Sequence, residues 1–224
     1  MRLDRLIKAI FRAINTVVKY VKILSQCAVK PRGYMELQVW EKNGFGAPSP
    51  PFVKRICLSR NAIPGSTFVE SGTFLGETTR YLGERYPKVI SIEPEPKLFE
   101  NARRLFESNA NVEILNGTSE TVFPNLIPQL RGDVSFWLDG HNSNGITYKA
   151  STETPIACEL QVIEDNISNL GKISVCIDDV RCFISQLKEF DDYPDLSFLI
   201  SWAERNSLNW HIEHDIFVAT NSNR

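Results

Sequence analysis

The stretch Thr67-Phe68-Val69-Glu70-Ser71-Gly72-Thr73-Phe74-Leu75-Gly76-Glu77-Thr78-Thr79 constrains this chain most, because an apolar run ends in an acid and a glycine turn and then enters a helix-forming segment. It reads as a strand, a tight loop and a helix start. The next apolar run, Val89-Ile90-Ser91-Ile92-Glu93, ends in a second acid. In a parallel α/β sheet small molecules sit beyond the carboxyl ends of the strands, where glycines let the backbone approach closely and an acid can accept both ribose hydroxyls. The pairing therefore marks a nucleoside-bearing ligand, and Glu93 lies 21 residues after Gly72, near the ~20 expected of a ribose-binding acid. Gly72-x-x-x-Gly76 lacks the middle glycine of the dinucleotide fingerprint, so taken alone it fits a ligand-free tight turn as well.

The 224 residues, 42% of them hydrophobic, suffice for one sizeable α/β domain and are short for two. The net charge of −2 is unevenly placed. Residues 1–35 carry eight Lys/Arg against Asp4 alone, or +7, which leaves −9 for the rest. An acidic body argues against nucleic-acid partners, which demand a cationic footprint to displace counterions. The five cysteines, Cys27, Cys57, Cys158, Cys176 and Cys182, include no Cys-x-x-Cys pair, so neither a disulfide framework nor a zinc site is signalled and a reducing compartment is expected. Arg12, Lys19 and Lys22 interrupt any secretory apolar core, and nothing approaches the ~18 uncharged apolar residues of a membrane span. The expected location is cytoplasmic, or peripheral at a membrane.

Residues 2–24 place Leu3, Leu6, Ile7, Ile10, Ile14, Val17, Val18, Val21 and Leu24 at helical spacing, with Arg5, Lys8, Arg12, Lys19 and Lys22 opposite. Such an amphipathic N-terminal helix can lie on an anionic membrane, pair with its own copy as a homodimer, or cover the core of its own domain. The breaker cluster Gly44-Phe45-Gly46-Ala47-Pro48-Ser49-Pro50-Pro51 follows. Residues 1–51 are thus a leader and linker, and 52–224 the main domain. There helices are expected at 52–60, 77–86, 97–107, about 119–129, 153–169 and about 194–206. Strands are expected at 67–71, 88–93, 112–115, 133–139 and 173–178, with a less buried, antiparallel strand over 210–220. This alternation implies βαβ units and a mostly parallel sheet.

Five strand ends then share one edge: Glu70-Ser71-Gly72, Glu93-Pro94, Asn116-Gly117-Thr118-Ser119, Asp139-Gly140-His141 and Asp178-Asp179. Acids after apolar runs cost burial energy unless they are hydrogen-bonded or functional. Their order, with Val69 to Thr79, Ser91 to Pro94, Phe136-Trp137-Leu138-Asp139-Gly140-His141 and Ile177-Asp178-Asp179-Val180-Arg181, resembles the class I S-adenosylmethionine-dependent methyltransferases from about Phe52 onward. The resemblance implies a Rossmann-like, doubly wound, mostly parallel sheet with an antiparallel C-terminal strand. It also implies S-adenosylmethionine held by Glu70, Ser71, Gly72, Thr73 and Gly76, its ribose by Glu93, and its adenine by the turn Gly117, Thr118 and Ser119, with Asp139 near the reacting end. The family often has an acid in the adenine turn, where this chain has Thr118-Ser119, and those two residues also read as a helix N-cap.

Asp139, Asp178 and Asp179 resemble the carboxylate trio with which some small-molecule O-methyltransferases hold Mg²⁺, and a hard cation there could draw down the pKa of a bound hydroxyl. A salt bridge to Arg181 or a helix cap would equally account for the acidic pair. His141 is the alternative catalytic base, since its pKa lies near neutrality. His211 and His214 read as surface residues. The expected activity is methyl transfer to a hydroxyl of a small-molecule acceptor, a sugar or secondary metabolite. The competing readings are a nicotinamide-dependent oxidoreductase, disfavoured by the missing glycine and the lack of a Tyr-x-x-x-Lys pair, and a non-catalytic membrane or partner adaptor.

Overall fold

The structure is a computed structural model that describes residues 31–139, 154–184 and 193–222. The proposed leader helix at 2–24 and His141 lie outside these residues. The chain divides into two compact units between Gly46 and Ala47, within the Gly/Pro-rich stretch. In the first unit helix α1 (Pro31–Lys42) ends in a turn closed by Trp40, whose indole N–H donates to the Gly46 carbonyl at 2.7 Å and whose ring meets Phe45 edge-on.

The second unit runs α2 (Pro51–Asn61), β1 (Thr67–Ser71), α3 (Glu77–Gly83), β2 (Lys88–Glu93), α4 (Pro96–Leu105), β3 (Val112–Asn116), α5 (Ser119–Leu126), β4 (Val134–Leu138), α6 (Ile156–Asn166), β5 (Ile173–Ile177), α7 (Arg181–Ile184), α8 (Leu196–Arg205), β6 (Asn209–Glu213) and β7 (Ile216–Thr220). One seven-stranded sheet has the order β3-β2-β1-β4-β5-β7-β6. Strands β1 to β5 pair in parallel, and β7 enters antiparallel between β5 and β6.

Helices cover both faces of the sheet, so its central strands read as unbroken apolar runs instead of alternating ones. On one face Val69, Ile90, Phe136, Val175 and Phe217 pack with Phe123 of α5, Leu160 of α6 and Trp202 of α8. On the other, Phe68, Val89, Trp137, Cys176 and Val218 pack with Leu58 of α2 and Leu82 of α3. The side-chain period of two in each strand divides the residues between the layers. Two buried serines on this second face, Ser135 and Ser174, bond the Ile63 N–H and the Asn61 carbonyl and so fasten the C-terminal end of α2 beneath the sheet.

The single terminal strand expected over 210–220 is instead a hairpin, with β6 on the half-exposed edge and β7 fully buried. Its turn sits at His214 and Asp215, which adopt φ 52° and 66°, the left-handed pair that a two-residue hairpin loop requires. Neither residue is glycine, so the alternation Trp210, Ile212, His214, Ile216 runs through the turn unbroken. Tertiary bonds hold it: the Asp215 carbonyl accepts from Val180 N–H, and the Asp215 carboxylate from Arg181. Among the described residues no helix is long and apolar enough to cross a membrane.

Candidate functional site

The parallel register brings the expected strand ends to one edge, with Ser71 beside Ile92 and Leu138, and Glu93 beside Asn116. At this edge β1 opens into a loop in which Gly72 has φ 97° and Gly76 φ 73°. A Cβ on Gly76 would also lie 2.9 Å from the Phe106 ring, so the position excludes side chains twice over. Gly72 and Thr73 donate their N–H groups to the Ile92 carbonyl. Phe74, next in line, is left-handed at φ 49°, a conformation that costs a non-glycine residue on the order of 1–3 kcal/mol.

Glu93 holds that strained residue. Its Oε2 accepts from Phe74 N–H at 2.7 Å and its Oε1 from Glu95 N–H at 2.9 Å. Burial pushes its pKa up, against the pull of these two backbone donors. A carboxylate offers about four lone-pair sites, so Glu93 can carry the loop and still accept from ribose hydroxyls. Gly117 N–H donates to the Glu93 carbonyl and Asn116 Nδ2 does the same, which ties the expected adenine turn to the expected ribose acid. Thr118 stands at the N-cap position of α5 but makes no capping bond with its side chain, contrary to the sequence reading, and its hydroxyl lies 3.3 Å from that of Thr121. Ser119 is buried and turns inward instead.

Glu70 is fully buried and accepts from the hydroxyls of Thr79, at 2.5 Å, and Ser91, at 2.6 Å. Desolvation dominates these bonds and pushes its pKa up to about 7. Glu70 thus supports the glycine loop from beneath. Ser91 and Thr73 also share a 2.6 Å bond. Near them lies Glu159 of α6, another fully buried carboxyl that desolvation pushes up to about 7, softened by nearby Ser119 and Ser71. Its Oε1 and the Ser71 hydroxyl oxygen are buried without a well-formed hydrogen bond, a cost of about 1–3 kcal/mol each that a bound polar ligand would relieve.

Asp139, Asp178 and Asp179 converge as expected, with one carboxylate oxygen from each within 4.8 Å of the other two. They line a crevice shared with Glu159, Phe183 and Tyr193. Their arrangement holds a feature that sequence reasoning missed: the ammonium of Lys54, on α2, lies 2.5 Å from Asp178 Oδ2 and 3.2 Å from Asp179 Oδ1. Burial alone would lower the Lys54 pKa, but the charges of Asp178, Asp179 and Asp139 outweigh it and push the group up to about 12. Arg181 reaches the same Asp179 Oδ1 at 2.7 Å, so the ion pair weighed as an alternative is present. Burial and the charge of Asp139 push Asp178 up, against the pull of Lys54.

Lys54 and Glu159 share a legible signature. Lys54 falls in line with Cys57, Leu58 and Asn61, the buried face of α2, and Glu159 with Ile156, Leu160 and Ile163, the buried face of α6. A charge on the apolar stripe of a helix either ruins the helix or serves a site. His211 stays half-exposed, 3.6 Å from Glu213, and His214 is exposed.

Two solved structures share this architecture across nearly their whole length. A methyltransferase from Geobacter sulfurreducens superposes with a TM-score of 0.50 at 13% identity, covering 90% of this chain and 96% of that one. A Staphylococcus aureus protein described as a caffeoyl-CoA O-methyltransferase gives 0.50 at 14% identity, over 90% and 97%. The chain shares the Rossmann-like fold of these two proteins. Neither a family model nor a curated protein matches the sequence, so the shared fold is carried by topology and not by sequence identity.

Proposed function

We propose that the chain transfers a methyl group from S-adenosylmethionine to a hydroxyl of a small molecule. The observation that carries this reading is the union, at one sheet edge, of a glycine loop laced to Glu93 with the carboxylates of Asp139 and Asp178. The first suits an adenosyl group and the second can receive a hydroxyl proton. The cofactor, when bound, supplies a methyl group on a sulfonium sulfur. Transfer would move that methyl carbon to the acceptor oxygen, the electron pair of the carbon–sulfur bond remaining on sulfur, and a carboxylate of this chain would take the hydroxyl proton. Asp139 is the proposed base, with His141 the second candidate. Ser71, Gly72, Thr73 and Gly76 would meet the methionyl end, and Gly117, Thr118 and Ser119 the adenine, through hydroxyl and backbone groups. Glu70 would act from beneath, by holding Thr79 and Ser91.

The donor set of Asp139, Asp178 and Asp179 is of the kind that Mg²⁺ prefers, but the Lys54 ammonium already lies among these oxygens, so no step is routed through a metal. Titration calorimetry of the full chain tests the proposal. Binding of S-adenosylhomocysteine is expected, weakened in Glu93→Ala by about 1.5–3 kcal/mol, the contribution of a charge-assisted hydrogen bond. Binding of NAD with no response to S-adenosylhomocysteine would favour the oxidoreductase and end this reading.

A further inference from the structure

We infer that Lys54 is the resident cation of the carboxylate crevice: its ammonium takes the place between Asp139, Asp178 and Asp179 that a divalent ion would need, and the crevice works without a metal. Three of the carboxylate oxygens, both of Asp178 and Oδ1 of Asp179, are already committed. Asp178 directs Oδ2 to Lys54 at 2.5 Å and Oδ1 to the Asp179 N–H at 2.8 Å. Asp179 Oδ1 accepts from both Lys54, at 3.2 Å, and Arg181, at 2.7 Å. A metal ion would have to break these bonds and would then lie against an ammonium whose side chain is only 17% exposed, a like-charge contact in a poorly solvated place.

The placement is built into the fold. Lys54 lies on the same face as Leu58 and Asn61, and the far end of that face is tied down by the bond from Asn61 to Glu213. Its stem is therefore directed from the helix into the crevice. A lysine is a compact charge with three donors on one nitrogen, which suits several carboxylates better than a planar guanidinium would. Lys54 is a positioning residue on this account. It keeps Asp178 and Asp179 oriented, and it neutralises the edge beside which an uncharged hydroxyl substrate must dock. The inference concerns the charge of the crevice and is independent of the group transferred there.

Electron paramagnetic resonance titration of the full chain with Mn²⁺ tests it, with no cofactor added, so that its failure is separate from failure of the methyltransferase reading. Wild type is expected to bind no Mn²⁺ specifically. Lys54→Met should gain one bound Mn²⁺, with a thermal midpoint that rises on adding Mn²⁺, and Lys54→Met/Asp178→Asn should lose both. Lys54→Arg, which keeps a cation, should bind none. Saturable Mn²⁺ binding by wild type that Asp178→Asn removes would overturn the inference, as would a folded Lys54→Met that binds no metal. If Lys54→Met fails to fold in buffer, refolding in Mn²⁺ supports the inference and failure to refold there counts against it.

Discussion

Glu159 and Glu70 are carboxyls sealed beneath the strand ends, and the energy of holding them there is visible in pH. Both have pKa values pushed up by desolvation to about 7 from a reference of 4.5. Between these values the unfolded chain gives up the proton that the folded protein keeps, so the folded state binds more protons and stability falls as pH rises through the window. Replacing Glu159 with glutamine removes its share of this loss, on the order of 3 kcal/mol. Glu159→Gln should therefore melt higher than wild type at pH 8 and no higher at pH 4, by scanning calorimetry, and an equal gain at both pH values would sink the account. At Gly76 the opposite sign is expected. Alanine there combines a left-handed φ with a Cβ 2.9 Å from Phe106, so Gly76→Ala should lose about 1–3 kcal/mol in urea unfolding, and an unchanged midpoint would show that the loop relaxes without strain.

At the scale of elements, the terminal hairpin and helix α2 are locked together by one acid. Glu213, on edge strand β6, takes hydrogen bonds from Asn61 and Cys57 and an ion pair from Arg60. Burial alone would raise its pKa, but these donors outweigh it and hold the carboxyl down at about 2. The stabilisation is fully present above pH 4.5 and is lost as pH falls through about 2. Glu213→Ala takes the charged acceptor from the Asn61 amide, which keeps its bond to the Cys57 carbonyl, at a cost of about 1.5–3 kcal/mol, that of a hydrogen bond to a charged group. The deficit against wild type in denaturant titrations should be full at pH 7 and shrink toward pH 2. A deficit that does not change with pH would assign it to packing of the hairpin, where Trp210 stacks on Phe217. Because α2 also carries Lys54, loosening this lock should disturb the crevice before it disturbs the sheet.

For the whole molecule, both hydrophobic layers draw, among the described residues, only on positions from Cys57 onward. A chain lacking residues 1–46 should therefore unfold cooperatively at an unchanged midpoint, as read by circular dichroism. A lowered midpoint would mean that the leader covers the core. The +7 charge of residues 1–35 against −9 for the remainder favours an anionic surface as the leader's partner, with each cation near such a surface contributing about 1 kcal/mol. Loss of vesicle sedimentation in the truncated chain is the expected companion result, and sedimentation equal to that of the full chain would remove the membrane reading.

Much of this protein can be read from its linear order. Runs such as Phe136-Trp137-Leu138 and Val175-Cys176-Ile177 are apolar at every position because a parallel strand between two helical layers is buried on both sides, and the acids that end these runs mark the edge where the layers open. That reading locates the glycine loop, Glu93 and the three aspartates, since each lies within a few residues of the strand that positions it. It does not reveal the hairpin turn at His214 and Asp215, whose left-handed geometry is sustained by Val180 and Arg181 from another segment. Nor does it reveal which cation faces Asp178, because Lys54 lies 124 positions away. Local periodicity determines which face of an element is buried. Only the packing of α2 across the sheet decides which charges meet there, because a buried carboxylate is stabilised by whatever donor the fold brings within bonding distance, however far away it lies in the chain.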